Sequence, residues 1–378
     1  MLPEPVSIRV PLMVPELPKL AAIAPYLERI DANHWYSNFG PLVRELEARL
    51  AATFVQGGEP APHVVTMSTA TAGIELALRA LELPPGAPVL VPALTFVATA
   101  VAVLSAGLTP IVADVDPKSW LLTPEIATEA LRHEAIRAVV PVVTFGCPQD
   151  ARGWDDFHER TGVPVVIDAA AGFGNQEDPG PTCAVFSLHA TKPLAAGEGG
   201  FVVTRSPEFA AAMRQLSNFG INLTDPTVQI GTTTMVGTNS KLSEYHAAVA
   251  LASLDQWPEN SARRRALFHD YSAAIRGVPG LATQWQAMPD AAVRSVFCFL
   301  LASESVRNRA EQSLVSAGIA TRRWYLPTIN NHRAFQHIAH LPVPVADEIG
   351  RRLIGVPFSI GLDAVAQAEV VAALAAAV

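Results

Sequence analysis

The chain has 378 residues, half of them hydrophobic, and a formal net charge of -8. That length exceeds one small domain and suits a large domain plus a smaller one. An acidic chain without a long basic run is a poor ligand for nucleic acid, whose phosphates need clustered Lys and Arg. Cys147, Cys183 and Cys298 lie far apart and form no CxxC pair, which argues against a disulfide scaffold or a zinc ribbon. No metal centre is expected, and a reducing cytoplasm fits. The N-terminus lacks a basic start, apolar core and small-residue cleavage site, so no secretory leader is expected.

In chain order, the proline-bearing stretch 1–18 should be an extended arm. Helical patterning follows around Leu42 to Phe54, with apolar residues at Leu42, Leu46 and Leu50. A regular alternation then begins. Strands are predicted at His63 to Met67, Val89 to Val91, Pro110 to Val115, Ala138 to Val143, Val163 to Asp168, Val185 to Leu188 and Gly200 to Thr204. Helices are predicted between them at Thr71 to Leu81, Phe96 to Ala106, Pro124 to Arg132 and Trp154 to Arg160. Continuous β-branched runs mark strands buried on both faces, and their alternation with helices means a mostly parallel α/β sheet. The most apolar stretch, Leu94 to Leu108, is too short for a membrane span and reads as a buried helix.

After Thr204 the pattern changes. A helix is predicted from Pro207 to Gln215, then a polar, Thr-rich loop from Asn222 to Asn239. A long helical stretch covers Ser243 to Arg276, with Pro258 as a break. Short strands and helices follow, at Ser295 to Leu301, Ser305 to Ala317 and Asp363 to Val378. The division expected is an arm over 1–18, a large α/β domain over 19–250 and a smaller α+β domain over 251–378.

Ligands of parallel α/β sheets bind outside the carboxyl ends of the strands. The polar residues just past the predicted strands are Ser68 to Thr71, Thr95 and Phe96, Thr144, Asp168, and Ser187 to Lys192. Pyridoxal 5'-phosphate needs that combination: a lysine for its aldehyde, a carboxylate for its ring nitrogen, a phosphate cup at a helix N-terminus and a flat side chain over its ring.

Phe186 to Lys192, followed by Gly197-Glu198-Gly199-Gly200, resembles the lysine motif of the nucleotide-sugar aminotransferases of the DegT/DnrJ/StrS type. Other matching stretches come in the same order. They are Trp35 to Pro41 with Glu47, Ser68 to Leu78, Pro92 to Ala100, Asp114 to Pro117, and Gly237 to Glu244. The resemblance implies pyridoxal-phosphate fold type I, with a mostly parallel seven-stranded sheet sandwiched by helices and a smaller C-terminal α+β domain. It implies an amino transfer from an amino acid, glutamate by resemblance, to a nucleotide-linked keto-sugar. The course would be ping-pong through the Lys192 aldimine and pyridoxamine phosphate.

Carried over by residue, Lys192 would be the Schiff-base lysine and proton carrier, and Asp168 the partner of the ring nitrogen. Ser187 and Thr71, with the backbone amides of Ala70 and Thr71, would hold the phosphate. Phe96 would stack on the ring. Asn239 would reach the cofactor of a neighbouring subunit, which implies a homodimer. His189 and Tyr325 could meet the substrate; a core histidine describes the first equally well, and an ordinary strand face describes the second better. Two positions depart from the family's pattern: Ala171 stands where a Gln is usual, and Thr69-Ala70-Thr71 replaces Asn-Gly-Thr. A sugar dehydratase of the same family, which would carry His in place of Lys192, remains open. So do an amino-acid aminotransferase, a desulfurase needing a reactive Cys, and a pyridoxal-phosphate-binding regulator without turnover.

Overall fold

A computed structural model describes residues 7–55, 60–222 and 227–378. The first six residues of the expected arm and residues 223–226 of the Thr-rich loop lie outside the described residues. The strands of the main body are β1 (His63–Met67), β2 (Pro88–Pro92), β3 (Thr109–Ala113), β4 (Ala138–Val139), β5 (Val166–Asp168), β6 (Cys183–Ser187) and β7 (Gly200–Thr204). They run in the order β3-β2-β4-β5-β6-β7-β1. The β4–β5 seam is made by the parallel bridges Val139 to Val165 and Val142 to Asp168. β7 is antiparallel to both its neighbours, and every other pairing is parallel. The mostly parallel seven-stranded sheet inferred from the sequence is therefore present, with one reversed strand.

The helices that cover this sheet are α1 (Leu20–Asn33), α2 (Pro41–Thr53), α3 (Ala70–Ala80), α4 (Ala98–Ser105), α5 (Pro124–Ala130), α6 (Ala151–Thr161), α7 (Pro207–Leu216) and α8 (Glu244–Asp255). Side chains alternate between the two faces of each strand. Val65, Met67, Val89, Val91, Val185 and Val202 enter one core, whereas Val64, Leu90, Ala184, Phe186, Phe201 and Val203 enter the other. Both faces are buried, which is why these strands read as unbroken apolar runs. The apolar stretch Leu94 to Leu108 is only partly the buried helix expected of it: α4 begins at Ala98, and Val101 and Leu104 on its outer side are exposed.

The rest of the chain comprises α9 (Trp257–Arg276), β8 (Thr283–Gln284), β9 (Phe297–Leu301), α10 (Glu304–Ser316), α11 (Pro344–Arg352), β10 (Leu353–Val356) and α12 (Ala364–Ala375). The order β10-β9-β8 forms a second, antiparallel sheet. Its central strand is buried on both faces. Phe297, Phe299 and Leu301 meet α9, α10 and α12 in a core of their own, while Cys298 and Leu300 face the core of the main body. The expected break at Pro258 falls two residues after Gln256, and the proline occupies the first turn of α9, where its missing N–H costs nothing.

Two helix starts are capped from far away. The N-cap of α2 is Gly40, which has no side chain to offer. The Glu244 carboxylate takes its place, accepting from the N–H of Leu42 and of Val43 at 2.8 Å each. A Cβ at position 40 would lie 2.6 Å from that carboxyl carbon, so glycine is what lets the acid in. Likewise Asp114 accepts from the N–H of Val345 and Ala346 and ties α11 to the end of β3. Replacing the buried Glu244 with alanine leaves two buried N–H groups without partners. Such groups cost about 1–3 kcal/mol each, so a loss of about 3 kcal/mol is expected, read as a lower denaturation midpoint. An unchanged midpoint would mean that water replaces the carboxylate.

Candidate active site

The carboxyl ends of β1, β2, β5 and β6 open on a cavity of about 570 Å³. Thr69, Ala70 and Thr71 enter it from the start of α3, Phe96 from the segment after β2, Asp168 from the end of β5 and Ser187 from the end of β6. His189 and Lys192 enter from the loop between β6 and β7, and Tyr325 from the segment before α11. Every residue given a catalytic, cofactor or substrate role from the sequence lies here except Asn239, whereas Ser68, Thr95, Thr144 and Ala171 do not line the cavity. Asn239 is exposed and holds the Lys241 ammonium through its Oδ1 at 2.7 Å.

Asp168 is buried and tightly held. The Thr99 hydroxyl donates to its Oδ2 at 2.7 Å, and the Ala170 N–H donates to Oδ1 at 3.1 Å. Thr99 in turn shares a hydrogen bond of 2.9 Å with Thr95. Burial raises the Asp168 pKa above the usual carboxylate range, although Thr99, the Ala170 N–H and Lys192 all oppose that. Burial lowers the Lys192 pKa, and Asp168 opposes that. Burial thus works against the charged form of each residue, and a cation placed beside Asp168 would favour the carboxylate form.

The loop bearing Lys192 is braced by its own backbone. Lys192 N–H donates to His189 O at 2.9 Å, Ala190 N–H to Gly197 O at 2.9 Å and Ala196 N–H to Leu188 O at 2.7 Å. The His189 Nδ1 lies 2.9 Å from the Thr191 hydroxyl and 3.3 Å from the Thr191 backbone nitrogen. Its Nε2 lies 3.7 Å from Glu198 Oε1.

A phosphate cup at the start of α3 would be a matter of backbone. Thr69 caps α3 by accepting from Ala72 N–H at 3.1 Å, so the amides at the helix start stay free to face the cavity. β7 begins immediately behind them. A Cβ on Gly200 would lie 2.6 Å from the Ala70 nitrogen and 2.8 Å from the Thr69 carbonyl carbon. Gly200→Ala should therefore displace the helix start and weaken pyridoxal-phosphate affinity about tenfold or more, since overpacking against backbone costs about 1–3 kcal/mol. Titration of the apo-protein checks it, and an unaltered affinity would show that the cup is not formed there.

An aromatic file runs from the cavity, at Phe96 and Tyr325, into the buried core at Phe145 and Trp120. Phe96 lies 6.0 Å from Tyr325, Tyr325 stacks on Phe145 at 5.1 Å and 22°, and Phe145 meets Trp120 edge-on at 6.2 Å. Burial pushes the Tyr325 phenol up, and Asp168 adds to this, so the hydroxyl stays protonated. Arg322 sits over the Trp324 ring at 4.3 Å. The three thiols are buried, with Cys147 pushed up to about 12 and Cys183 and Cys298 also raised, so none is a ready nucleophile.

These residues suit pyridoxal phosphate. An enclosed amine and an enclosed carboxylate share one cavity with unpaired amides at a helix start and an open aromatic face. Sequence reasoning did not single out Thr99. Its pairing with Thr95 one helical turn away was a readable signal, but its approach to Asp168 depends on the fold. Glu47 and Glu244, quoted above as parts of motifs, lie outside the cavity. Glu47 accepts from the Thr66 N–H at 2.9 Å and from Arg214 at 2.7 Å, and both acids serve the framework.

The sequence model of the DegT/DnrJ/EryC1/StrS aminotransferase family matches residues 20–375. The chain is 32% identical to the UDP-N-acetyl-3-dehydro-alpha-D-glucosamine 3-aminotransferase of Acidithiobacillus ferrooxidans over 334 residues, which is 86% of this chain and 85% of that protein. It is 28% identical to the UDP-2-acetamido-2-deoxy-3-oxo-D-glucuronate aminotransferase of Pseudomonas aeruginosa over 359 residues, 92% of this chain and 95% of that protein. Among solved structures, DesI in the presence of its TDP-sugar product superposes with a TM-score of 0.86 at 30% identity, covering 98% of this chain and 94% of that one.

Proposed function

The chain belongs to the DegT/DnrJ/EryC1/StrS aminotransferase family, and we propose that this pyridoxal-phosphate-dependent aminotransferase passes an amino group from glutamate to a nucleotide-linked keto-sugar. The observation that carries the proposal is the enclosure of Lys192 and Asp168 in one cavity at the start of α3. The names of the relatives, two acting on UDP-linked sugars and one holding a TDP-sugar, support the substrate class.

When bound, the cofactor supplies an aldehyde for the amine and a ring that accepts electrons. Lys192 Nζ would hold that aldehyde, and its free amine would serve as the base that moves a proton at the substrate carbon. Burial, by lowering its pKa, keeps that amine available as a base. Asp168, oriented by Thr99 and the Ala170 N–H, would hold the proton on the ring nitrogen. Thr71, Ser187 and the amides of Ala70 and Thr71 would bind the phosphate, and Phe96 would cover the ring. His189 and Tyr325 would face the substrate. With Ala171 in place, no side-chain amide at that position holds the ring hydroxyl.

Lys192 in this loop speaks against a dehydratase, and the protonated, buried thiols speak against a desulfurase. The reading also takes the enzyme to be a cytoplasmic homodimer, with three free thiols fitting a reducing compartment. No helix among the described residues is long and apolar enough to cross a membrane. Exposed Phe219 and Val236 stand on the loop that leads to Asn239, a surface suited to a second copy. Asn239 would complete the partner's phosphate site. Full activity in a monomer at low concentration, followed by mass photometry, would contradict this. The test of the reaction is a half-reaction. Glutamate added to the purified holoenzyme should bleach the visible band of the bound cofactor, and a nucleotide-linked keto-sugar should restore it. A bound cofactor unmoved by any amino donor would favour a regulator instead.

A further inference from the structure

Among the described residues, the acids and bases that line the cavity, histidine aside, are Asp168, Lys192, Glu198 and Arg322. Arg322 is the one cation left once Lys192 is given to the cofactor. Its guanidinium has no hydrogen-bond or ion-pair partner among the described residues and lies over the Trp324 ring at 4.3 Å. The arginines around it are all engaged: Arg323 by Glu311, Arg307 by Glu304 and Glu311, and Arg351 and Arg352 by Glu348. The platform beneath Arg322 is fixed by backbone. Its N–H donates to Gly355 O at 3.2 Å, Gly355 N–H donates to Arg322 O at 2.8 Å, and the Thr321 hydroxyl donates to Gly355 O at 2.7 Å. A Cβ at position 355 would lie 2.5 Å from the Trp324 indole, so glycine is what lets that ring lie against β10. A guanidinium stacked on an aromatic face keeps its N–H edges for another acceptor. The N-terminal arm brings no rival charge. Val10 pairs in parallel with Ile319, and Phe358 N–H donates to Leu12 O at 3.0 Å, so what the arm adds to the cavity is Leu12 and Met13.

We propose that Arg322 is the subsite for the distal carboxylate of the amino donor and makes the enzyme take glutamate in preference to glutamine. The proposal rests on the reading above of an aminotransferase with an amino-acid donor. The donor carbon that gives up its amine must lie at Lys192, which is half-buried, so the far end of the donor is the part that reaches the exposed Arg322. A planar fork of N–H donors matches one carboxylate through two parallel hydrogen bonds. Glutamine presents a neutral amide with a single acceptor oxygen, which forfeits both the charge and the second bond. A nucleotide diphosphate suits this place less well. It carries more than one negative charge, and the chain offers it a single free cation with the exposed Glu198 carboxylate lining the same cavity.

The test compares glutamate and glutamine in the half-reaction of the holoenzyme, for the wild-type, Arg322→Gln and Arg322→Lys. The wild-type should prefer glutamate in kcat/KM by about tenfold or more, the scale of a hydrogen bond between charged groups. Arg322→Gln should raise the KM for glutamate by about tenfold or more with the limiting rate within about threefold, the mark of binding lost equally from ground and transition states. Its KM for glutamine should stay within about twofold of wild-type, so the preference collapses. Arg322→Lys, which keeps the charge without the fork, should fall between the two. Calorimetry with glutarate, which has no amine to react, reads the same subsite without turnover, and Arg322→Gln should weaken its binding by about tenfold. Affinity for UDP and TDP should change by less than about twofold. A glutamate KM and a glutarate affinity both unchanged in Arg322→Gln would overturn the proposal, and a loss confined to UDP and TDP would place Arg322 on the sugar substrate instead. If glutarate binding depended on Arg322 but glutamate left the wild-type band unmoved, the subsite would stand and the aminotransferase reading would fall.

Discussion

Lys192→Ala should lower kcat by about a thousandfold or more, because the covalent hold on the cofactor and the proton carrier are lost together. The fold should survive, since the loop that carries Lys192 is braced by backbone hydrogen bonds at His189, Ala190 and Ala196 that do not involve the side chain. Lys192→Arg should not rescue turnover. A guanidinium stays protonated and cannot act as the base, so the charge alone is not what the site needs. The measurement is single-turnover absorbance with glutamate, alongside circular dichroism to confirm folding. Activity within about tenfold of wild-type would remove Lys192 from its assigned role.

Asp168→Asn should produce the second largest effect. The amide keeps the shape and can keep the Thr99 contact, but it cannot stabilise a proton on the ring nitrogen. A loss in kcat of about a hundredfold to ten-thousandfold is expected, the range for a positioned acid–base group, with weaker cofactor binding. Thr99→Val separates charge from orientation. It keeps the carboxylate and removes one hydrogen bond to a charged group, worth about 1.5–3 kcal/mol. A loss of about tenfold in kcat with little change in KM would mark Thr99 as a positioning residue. If Asp168→Asn retained both affinity and rate, the carboxylate would have no role in the chemistry.

Much of this site was legible because its parts lie at strand ends. β1, β5, β6 and β7 read as apolar runs, so the polar residues after them stood out, and Lys192 and Asp168 carried chemistry that few ligands need. The contribution of Thr99 was not legible. It meets Asp168 only because the segment after β2 folds against β5, 69 residues away in sequence. The arm was readable as extended, but nothing in Leu12 or Met13 says where it docks. That is fixed by backbone pairing with Ile319 and Phe358, which leaves no signature in side chains. Helix α1 was missed because it contains Pro25 and buries only Ile30 fully, so it shows a weak apolar face. α11 and β10 were missed for a different reason: the start of α11 is set by Asp114, a residue of the main body.

The claim on which the account rests is that the Lys192 amine binds the cofactor covalently. Reduction of the holoenzyme with borohydride, followed by peptide mass mapping, tests it directly. The account predicts one pyridoxyl-modified peptide per chain, with the added mass on Lys192. A label on any other lysine, or none on an enzyme that still transaminates, would contradict it.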